Sequence, residues 1–128
     1  MKAMTGLLVW GVLLMGCSAS GYQSLSGAAD LPAAVGQPVK LTGQRSKIPW
    51  AHVVAPSTSH PFPDYFDLSD GQQIVVYFTA SEAAAELPPD RPVAIFGTVV
   101  AVEGRSKGEP RTPFTEYHLK VDRWERLD

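Results

Sequence analysis

From residue 36 onward the sequence consists of short segments in which apolar and polar residues alternate, and turn residues end each segment. Alternation with a period of two is typical of strands that bury one face. In the first segment Val39, Leu41 and Gly43 fall on one face, with polar residues between them. Repeated short strands separated by turns predict an all-β domain with little helix.

Five strands are predicted, over residues 39–44, 65–68, 72–79, 92–102 and 116–124. Ser69-Asp70-Gly71 predicts a tight hairpin turn between the second and third strands, because an Asp-Gly pair tolerates positive φ. Residues 81–87 predict at most two helical turns, with Thr79 or Ser81 as N-cap and Pro88-Pro89 as a stop.

Three features interrupt this regular pattern. After Arg45 the apolar phase shifts to Ile48 and Trp50, which predicts a bulge or sharp bend in one long strand. The proline-rich residues 56–63 predict a long loop, because proline lacks the N–H that a strand ladder requires. Trp124 is out of phase with the last strand, so that strand either bulges near residue 123 or exposes the indole.

Five strands with a short helix between the third and fourth is the order of the oligonucleotide/oligosaccharide-binding (OB) barrel. The sequence resembles small bacterial OB-fold proteins in Val39-x-Leu41-x-Gly43, Phe66-Asp67-Leu68-x-Asp70-Gly71, Val93-x-Ile95-x-Gly97-x-Val99 and Tyr117-x-Leu119-x-Val121. The resemblance implies a five-stranded, OB-like Greek-key barrel within residues 36–128, and another small barrel, such as an SH3-like one, is the alternative. It implies no particular function, because this fold carries many.

Cys17 is the only cysteine and lies where a short apolar run gives way to polar sequence. Leu14-Met15-Gly16-Cys17 resembles the lipobox of bacterial lipoproteins, which implies cleavage after Gly16 and a lipid on the Cys17 thiol. Lys2 and the uncharged run that follows it are typical of a signal peptide over residues 1–16, too short to span a bilayer. The alternatives are an ordinary secretory peptide or a short N-terminal helix.

The segment after Cys17 is rich in serine, glycine and alanine, so residues 17–35 are predicted to form a flexible tether. Ser18 stands where an aspartate retains lipoproteins at the inner membrane of some bacteria, which favours the outer membrane, facing the periplasm. The full chain carries a formal net charge of −2. Such a balance does not support nonspecific nucleic-acid binding, which usually needs a strongly basic surface.

No motif typical of an enzyme occurs in the sequence. There is no Gly-x-Ser-x-Gly elbow, no Walker-type phosphate loop and no His-Glu-x-x-His helix. The only cysteine is assigned to the lipid, which excludes thiolate chemistry in the folded part. We therefore expect a non-enzymatic protein without a cofactor.

A metal site is not expected either. The spacing of His52, His60 and His118 matches no metal-binding motif, and we predict that these histidines lie on the surface. Aspartates recur every three residues from residue 64 to residue 70, which suggests calcium, but the residues between them are typical of a strand. We interpret these aspartates as surface and turn residues.

The expected ligand-binding face of an OB barrel comprises the second and third strands and the loops that flank them, here residues 55–64 and 104–113. Candidate binding residues on these segments are Trp50, Tyr65, Tyr77, Arg105, Lys107 and Arg111. Aromatic rings suit stacking on bases or sugars. Neighbouring aromatics on one strand point to opposite faces, however, so about half of them serve the core.

Two hypotheses follow from these patterns. The first is a lipid-anchored periplasmic binding module that contacts an envelope protein or another envelope ligand. The second is a binder of single-stranded nucleic acid or oligosaccharide that uses the same barrel face. Whether Trp50, Tyr65, Tyr77 and Trp124 form one exposed patch distinguishes a broad stacking surface from a packed core.

Overall fold

A computed structural model of the chain describes residues 21–50 and 52–127. The predicted signal peptide, Cys17 and the first residues of the predicted tether lie outside this part. The strands are β1 (Gln23–Ser24), β2 (Pro38–Arg45), β3 (Phe62–Leu68), β4 (Gln73–Phe78), β5 (Val93–Arg105) and β6 (Pro113–Arg126). One helix, α1 (Ser81–Ala85), and two 3-10 turns, Ala28–Asp30 and Pro32–Ala34, complete the elements. No helix among these residues is long and apolar enough to cross a bilayer.

The five longer strands close into a barrel. They are hydrogen-bonded in the order β2-β3-β4-β6-β5, and β5 pairs back onto β2. Four of these five pairings are antiparallel, whereas β4 and β6 run parallel, with α1 between β4 and β5 in the chain. This strand order confirms the OB-like barrel and excludes the SH3-like alternative.

The barrel interior is filled by the residues that the alternation places on one face. The strand residues of this core are Val39, Leu41, Phe66, Leu68, Ile74, Val76, Phe78, Val93, Ile95, Val99, Leu119 and Val121. Burying a side chain of this kind stabilises the fold by about 1.5–3 kcal/mol relative to leaving it exposed. The core contains Val39 and Leu41 of β2 and Leu119 and Val121 of β6, which confirms the inward faces that the alternation predicts for the first and last strands.

β6 contains a bulge near its end, which confirms the first of the two alternatives predicted for Trp124. Val121 pairs with Gly97 and Arg123 pairs with Phe96, so Asp122 is the extra residue of the longer strand. A Cβ on Gly97 would lie 1.9 Å from the carbonyl oxygen of Lys120, so only glycine permits this approach of β5 to β6. The bulge turns Trp124 toward the core, where its side chain is partly buried.

The tether prediction is wrong for residues 21–35, because this segment packs on the barrel. β1 pairs with β2, and Leu31 is 1% exposed in the hydrophobic core. The backbone N–H of Ala28 donates to Asp70 Oδ2 at 2.8 Å, which ties the segment to the β3–β4 turn. The small residues suggested flexibility, but Leu31 supplies an apolar side chain that the barrel buries.

The predicted continuation of the first strand is also wrong. β2 ends at Arg45, and Ile48 and Trp50 are 71% and 69% exposed instead of forming a second strand face. The predicted loop over residues 56–63 ends earlier than expected, because β3 begins at Phe62 and includes Pro63. At Pro63, β3 pairs with β4 on one side only, because its pairing with β2 begins at residue 66. An edge position of this kind tolerates proline, which has no backbone N–H to donate.

The β3–β4 turn confirms the Asp-Gly prediction, with Gly71 at φ 90° and its N–H donating to the carbonyl of Leu68. The N-cap of α1 is Ala80, without a side-chain hydrogen bond, so neither Thr79 nor Ser81 caps the helix. β5 and β6 are longer than predicted and form a hairpin that shortens the predicted 104–113 loop to residues 106–112.

Candidate binding surface

The chain between β2 and β3 lies across the outer face of β4 and β6. We call residues 46–50 and 52–61 the β2–β3 connection. The N–H of Trp50 donates to Gln73 Oε1 at 2.8 Å, and the N–H of Ala55 donates to the hydroxyl of Tyr77 at 2.9 Å. Nε2 of His60 lies 3.1 Å from the carbonyl oxygen of Val121. The chain itself therefore covers the outer face of β4, which is the third barrel strand and one of the two whose face OB barrels commonly use for ligands.

Tyr77 points away from the barrel core while its neighbour Phe78 belongs to it, as expected for adjacent residues of a strand, yet Tyr77 is only 1% exposed. Its hydroxyl lies 2.7 Å from Nδ1 of His118 and also accepts the N–H of Ala55. Burial raises the pKa of this phenol. The prediction that Tyr77 stacks on a ligand is wrong for this conformation, because the β2–β3 connection covers the ring.

The other predicted aromatics lie in different environments. Tyr65 on β3 is partly buried, and its ring centroid lies 5.8 Å from that of His52. Trp50 is largely exposed on the β2–β3 connection, whereas Trp124 packs against the core. Trp50, Tyr65, Tyr77 and Trp124 therefore do not form one exposed patch.

Trp50 borders a shallow cavity of about 310 Å³, together with residues 44–48, Asp67 and Gln73. The neighbouring Ile48 is exposed as well, so two large apolar side chains lie close together at this end of the connection. The two basic residues of the cavity are paired elsewhere: Arg45 with Asp64 at 3.0 Å, and Lys47 with Asp90. Within the described residues, the exposed apolar side chains of Ile48 and Trp50 are therefore not flanked by an unpaired Lys or Arg, and the Asp67 carboxylate accepts from Gln73.

The predicted basic residues lie on the β5–β6 hairpin. Arg105 and Lys107 line a second cavity, of about 250 Å³, with His52, Val53, Ser106, Phe114 and Glu116. Neither forms an ion pair with any residue in the described part of the chain. Arg111 is exposed in the hairpin turn and lines neither cavity. The structure thus brings two of the three predicted basic residues to one site.

Glycine at position 104 permits the hairpin to meet the β2–β3 connection. A Cβ at Gly104 would lie 2.3 Å from Cγ2 of Val53 and 2.9 Å from the ring of Phe114. The connection and the hairpin are therefore in close contact, and the two segments that were predicted as flanking loops form one continuous surface.

A hydrogen-bonded cluster that sequence reasoning missed lies beneath this contact. One carboxylate oxygen of Glu116, Oε1, lies 2.9 Å from Nε2 of His118 and 3.1 Å from Nδ1 of His52. The side chain of His118 is 0% exposed, so the prediction of a surface histidine is wrong at this position. Glu116 and His118 are two residues apart on β6 and so share its outer face, a signal that the sequence contained. No local pattern points to His52, which is in a loop.

The surroundings of Glu116 and His118 shift the pKa values of these two side chains. Burial raises the pKa of Glu116, but hydrogen bonds from His118 and His52, the His52 charge and the Val53 N–H outweigh it, and the net pKa is lowered. Burial lowers the pKa of His118, against the opposing effect of Glu116. Neutral His118 satisfies every contact, because Nε2–H donates to Glu116 and Nδ1 accepts the Tyr77 hydroxyl proton.

No group of three or more histidine, cysteine, aspartate or glutamate side chains within residues 21–50 and 52–127 is arranged to hold a metal ion. The three regularly spaced aspartates have separate partners. Asp64 pairs with Arg45, Asp67 accepts from Gln73, and Asp70 accepts the N–H groups of Ala28 and Gln72. They act in tertiary structure and in a turn.

Comparison with known proteins gives one structural likeness. No family model and no curated protein matches the chain. Among solved structures, the chain is similar to one described as U. maydis replication protein A bound to ssDNA, with a TM-score of 0.48 and 12% identity over 84% of this chain and 73% of that one.

Proposed function

We propose that the chain is a non-enzymatic binding module of the bacterial cell envelope that contacts an envelope protein. A lipid on Cys17 anchors it in the outer membrane, facing the periplasm. The lipobox-like Leu14-Met15-Gly16-Cys17 supports this location, and the OB-like barrel without a catalytic motif supports binding in place of catalysis.

The exposure of Trp50 beside Ile48 is the observation that carries the proposal. The backbone N–H of Trp50 is held by Gln73, so the indole extends from an anchored segment. A large aromatic side chain on a fixed backbone gives much contact area for little conformational entropy. Tryptophan is among the residues that contribute most to protein–protein affinity. The covered strand face argues for contact through the connection, since Tyr77 is not available at the surface.

Site-specific crosslinking in living cells tests this proposal. A photoreactive amino acid replaces Ile48 in the full-length chain, and a matched chain carries it at exposed Gly108, in the hairpin turn. We expect a discrete crosslinked protein from position 48 but not from position 108. Equal yields at both positions, or no crosslinked protein under any growth condition, would contradict the proposal.

A second candidate function is favoured by the cavity on the hairpin. Arg105 and Lys107 have no anionic partner in the described residues and lie beside the partly exposed ring of Phe114. Single-stranded nucleic acid is bound by cations that contact its phosphates and by aromatic rings that stack on its bases. An aromatic ring also suits stacking on the sugars of an oligosaccharide.

Titration of the purified lipidated chain in detergent with short single-stranded DNA, RNA and glycans distinguishes this candidate. Nucleic-acid binding would weaken as salt rises, because phosphate contacts release counterions. The double variant Arg105→Gln, Lys107→Gln would then bind more weakly and with less salt dependence. Absence of binding even at low salt would eliminate the nucleic-acid form of this candidate.

A further inference from the structure

The orientation of the Gln73 amide is fixed by its neighbours. Nε2 lies 2.7, 3.0 and 3.1 Å from three acceptors, Ser46 Oγ, the carbonyl oxygen of Ile48 and Asp67 Oδ1, which share its two hydrogens. Oε1 accepts the N–H of Trp50. A carbonyl and a carboxylate only accept, and a backbone N–H only donates, so the flipped amide would lose these bonds. Gln73 therefore presents an acceptor oxygen to His52.

His52 has an acceptor at each ring nitrogen. Nε2 lies 3.0 Å from Gln73 Oε1, and Nδ1 lies 3.1 Å from Glu116 Oε1. Either neutral tautomer would direct one nitrogen lone pair at an oxygen, whereas the imidazolium donates to both. The imidazolium also pairs with the Glu116 carboxylate, which is partly buried.

We propose that the β2–β3 connection is a latch that protonated His52 holds closed over the outer face of the barrel, and that loss of this proton opens it. The groups that face His52 are the Tyr65 ring from β3, Gln73 from β4, and Glu116 and His118 from β6. Arg105 and Lys107 line the same cavity from the hairpin. Of these, only Glu116 offers a negative charge to the imidazolium.

The surface beneath the latch includes the outer face of β4, the third barrel strand, which is part of the face that OB barrels commonly use. Val75 and Tyr77 of β4, together with His118 of β6, are buried although they point away from the core cluster. Opening the connection would free the Tyr77 ring and hydroxyl for a ligand. This inference concerns the chain's own conformation, so it stands whether or not the proposed envelope partner exists.

His60 provides a matched control within the same connection. Its Nε2 faces the carbonyl of Val121, but its Nδ1 faces the Ser59 hydroxyl, which can donate or accept. One neutral tautomer therefore satisfies both contacts of His60. Protonation of His60 is not required for its contacts, so replacing His60 should leave the pH dependence of the proposed latch unchanged.

Nitrogen NMR of the purified full chain tests the charge of His52 directly, because imidazolium and the two neutral tautomers give different ring-nitrogen resonances. Between about pH 5 and about pH 9, a range that brackets imidazole titration, amide exchange at Val53 and Ala55 reports opening of the latch. Rates are corrected for base-catalysed exchange of an unfolded chain.

We expect His52 to be doubly protonated wherever the Ala55 amide is protected. Protection should fall about tenfold or more when the proton is lost, the size of one hydrogen bond to a charged group. His52→Gln should lack both the protection and its pH dependence, while His60→Gln should keep the wild-type pH dependence. A neutral His52 under a protected Ala55 amide would overturn the proposal, and so would an unchanged pH dependence in His52→Gln.

Discussion

The hydroxyl of Tyr77 lies 2.7 Å from Nδ1 of His118, on the outer side of the barrel and yet out of contact with solvent. The two side chains come from neighbouring parallel strands, β4 and β6. The Ala55 N–H, donated from the β2–β3 connection, reaches the same hydroxyl. The outer face of β4 and β6 is thus buried at this point, and hydrogen bonds satisfy the polar atoms of Tyr77 and His118 there.

The Tyr77 hydroxyl should contribute measurably to stability. Tyr77→Phe keeps the ring but leaves the Ala55 N–H and His118 Nδ1 without a partner. We expect a loss of about 1–3 kcal/mol in the free energy of unfolding, the cost of an unsatisfied buried polar group. Chemical denaturation measures it. Tyr65→Phe is the control, since no hydrogen bond joins its hydroxyl to the described residues; similar losses in both variants would contradict this role.

The sequence predicted the strands and turns better than it predicted this covered face. The alternation in β2 and β6 identified the inward residues, and Asp70-Gly71 identified the hairpin, because both signals are local. Which segment covers Tyr77 depends on contacts between residues 22 positions apart. Periodicity carries no information on such contacts. His52 was missed for the same reason, since its role comes from Gln73 and Glu116, on two separate strands.

Stability should fall on mild acidification because of His118. Burial lowers the pKa of this histidine in the folded state, so the unfolded chain binds its proton first. The contribution of His118 to the free energy of unfolding should be complete above the ordinary imidazole pKa of about 6.5 and should be lost as the pH falls below it. This sign is opposite to that of the proposed latch, so the difference between the wild type and His118→Gln isolates the His118 contribution. Denaturation at a series of pH values measures the slope.

His118→Gln should reduce this pH dependence, and His60→Gln should retain it. Glu116 adds a second loss of stability at lower pH, since its pKa is lowered in the folded state. Its contribution is present above the ordinary glutamate pKa of about 4.3 and is lost as the carboxylate protonates. An unchanged slope in His118→Gln between about pH 5 and about pH 7 would show that His118 is not held neutral.

The bulge at Gly97 should tolerate no side chain. In Gly97→Ala the added methyl would meet backbone atoms of Lys120 and Val121, which cannot rotate away. We expect destabilisation of about 1–3 kcal/mol or more, as for other overpacked interiors. Gly108→Ala is the matched control, because nothing lies within 4 Å of a Cβ at that position. Thermal denaturation of the two variants compares them, and equal melting temperatures would contradict the bulge geometry.

Leu31 tests whether the segment before β2 belongs to the folded domain. Leu31→Ala removes a side chain buried in the core, and we expect a loss of about 2–5 kcal/mol in the free energy of unfolding. Leu127→Ala, at a partly exposed position, should cost much less. If the segment were a flexible tether, as the composition alone suggested, both variants would lose equally little free energy of unfolding.

The affinity of the captured envelope protein for the lipidated chain tests the central claim most directly. Trp50→Ala should weaken this binding by about tenfold to a hundredfold, the range of a tryptophan at the centre of an interface. Phe62→Ala, which removes another partly exposed aromatic ring from the start of β3, should leave the Kd nearly unchanged. Equal Kd values for the wild type and Trp50→Ala would contradict a binding surface on the β2–β3 connection.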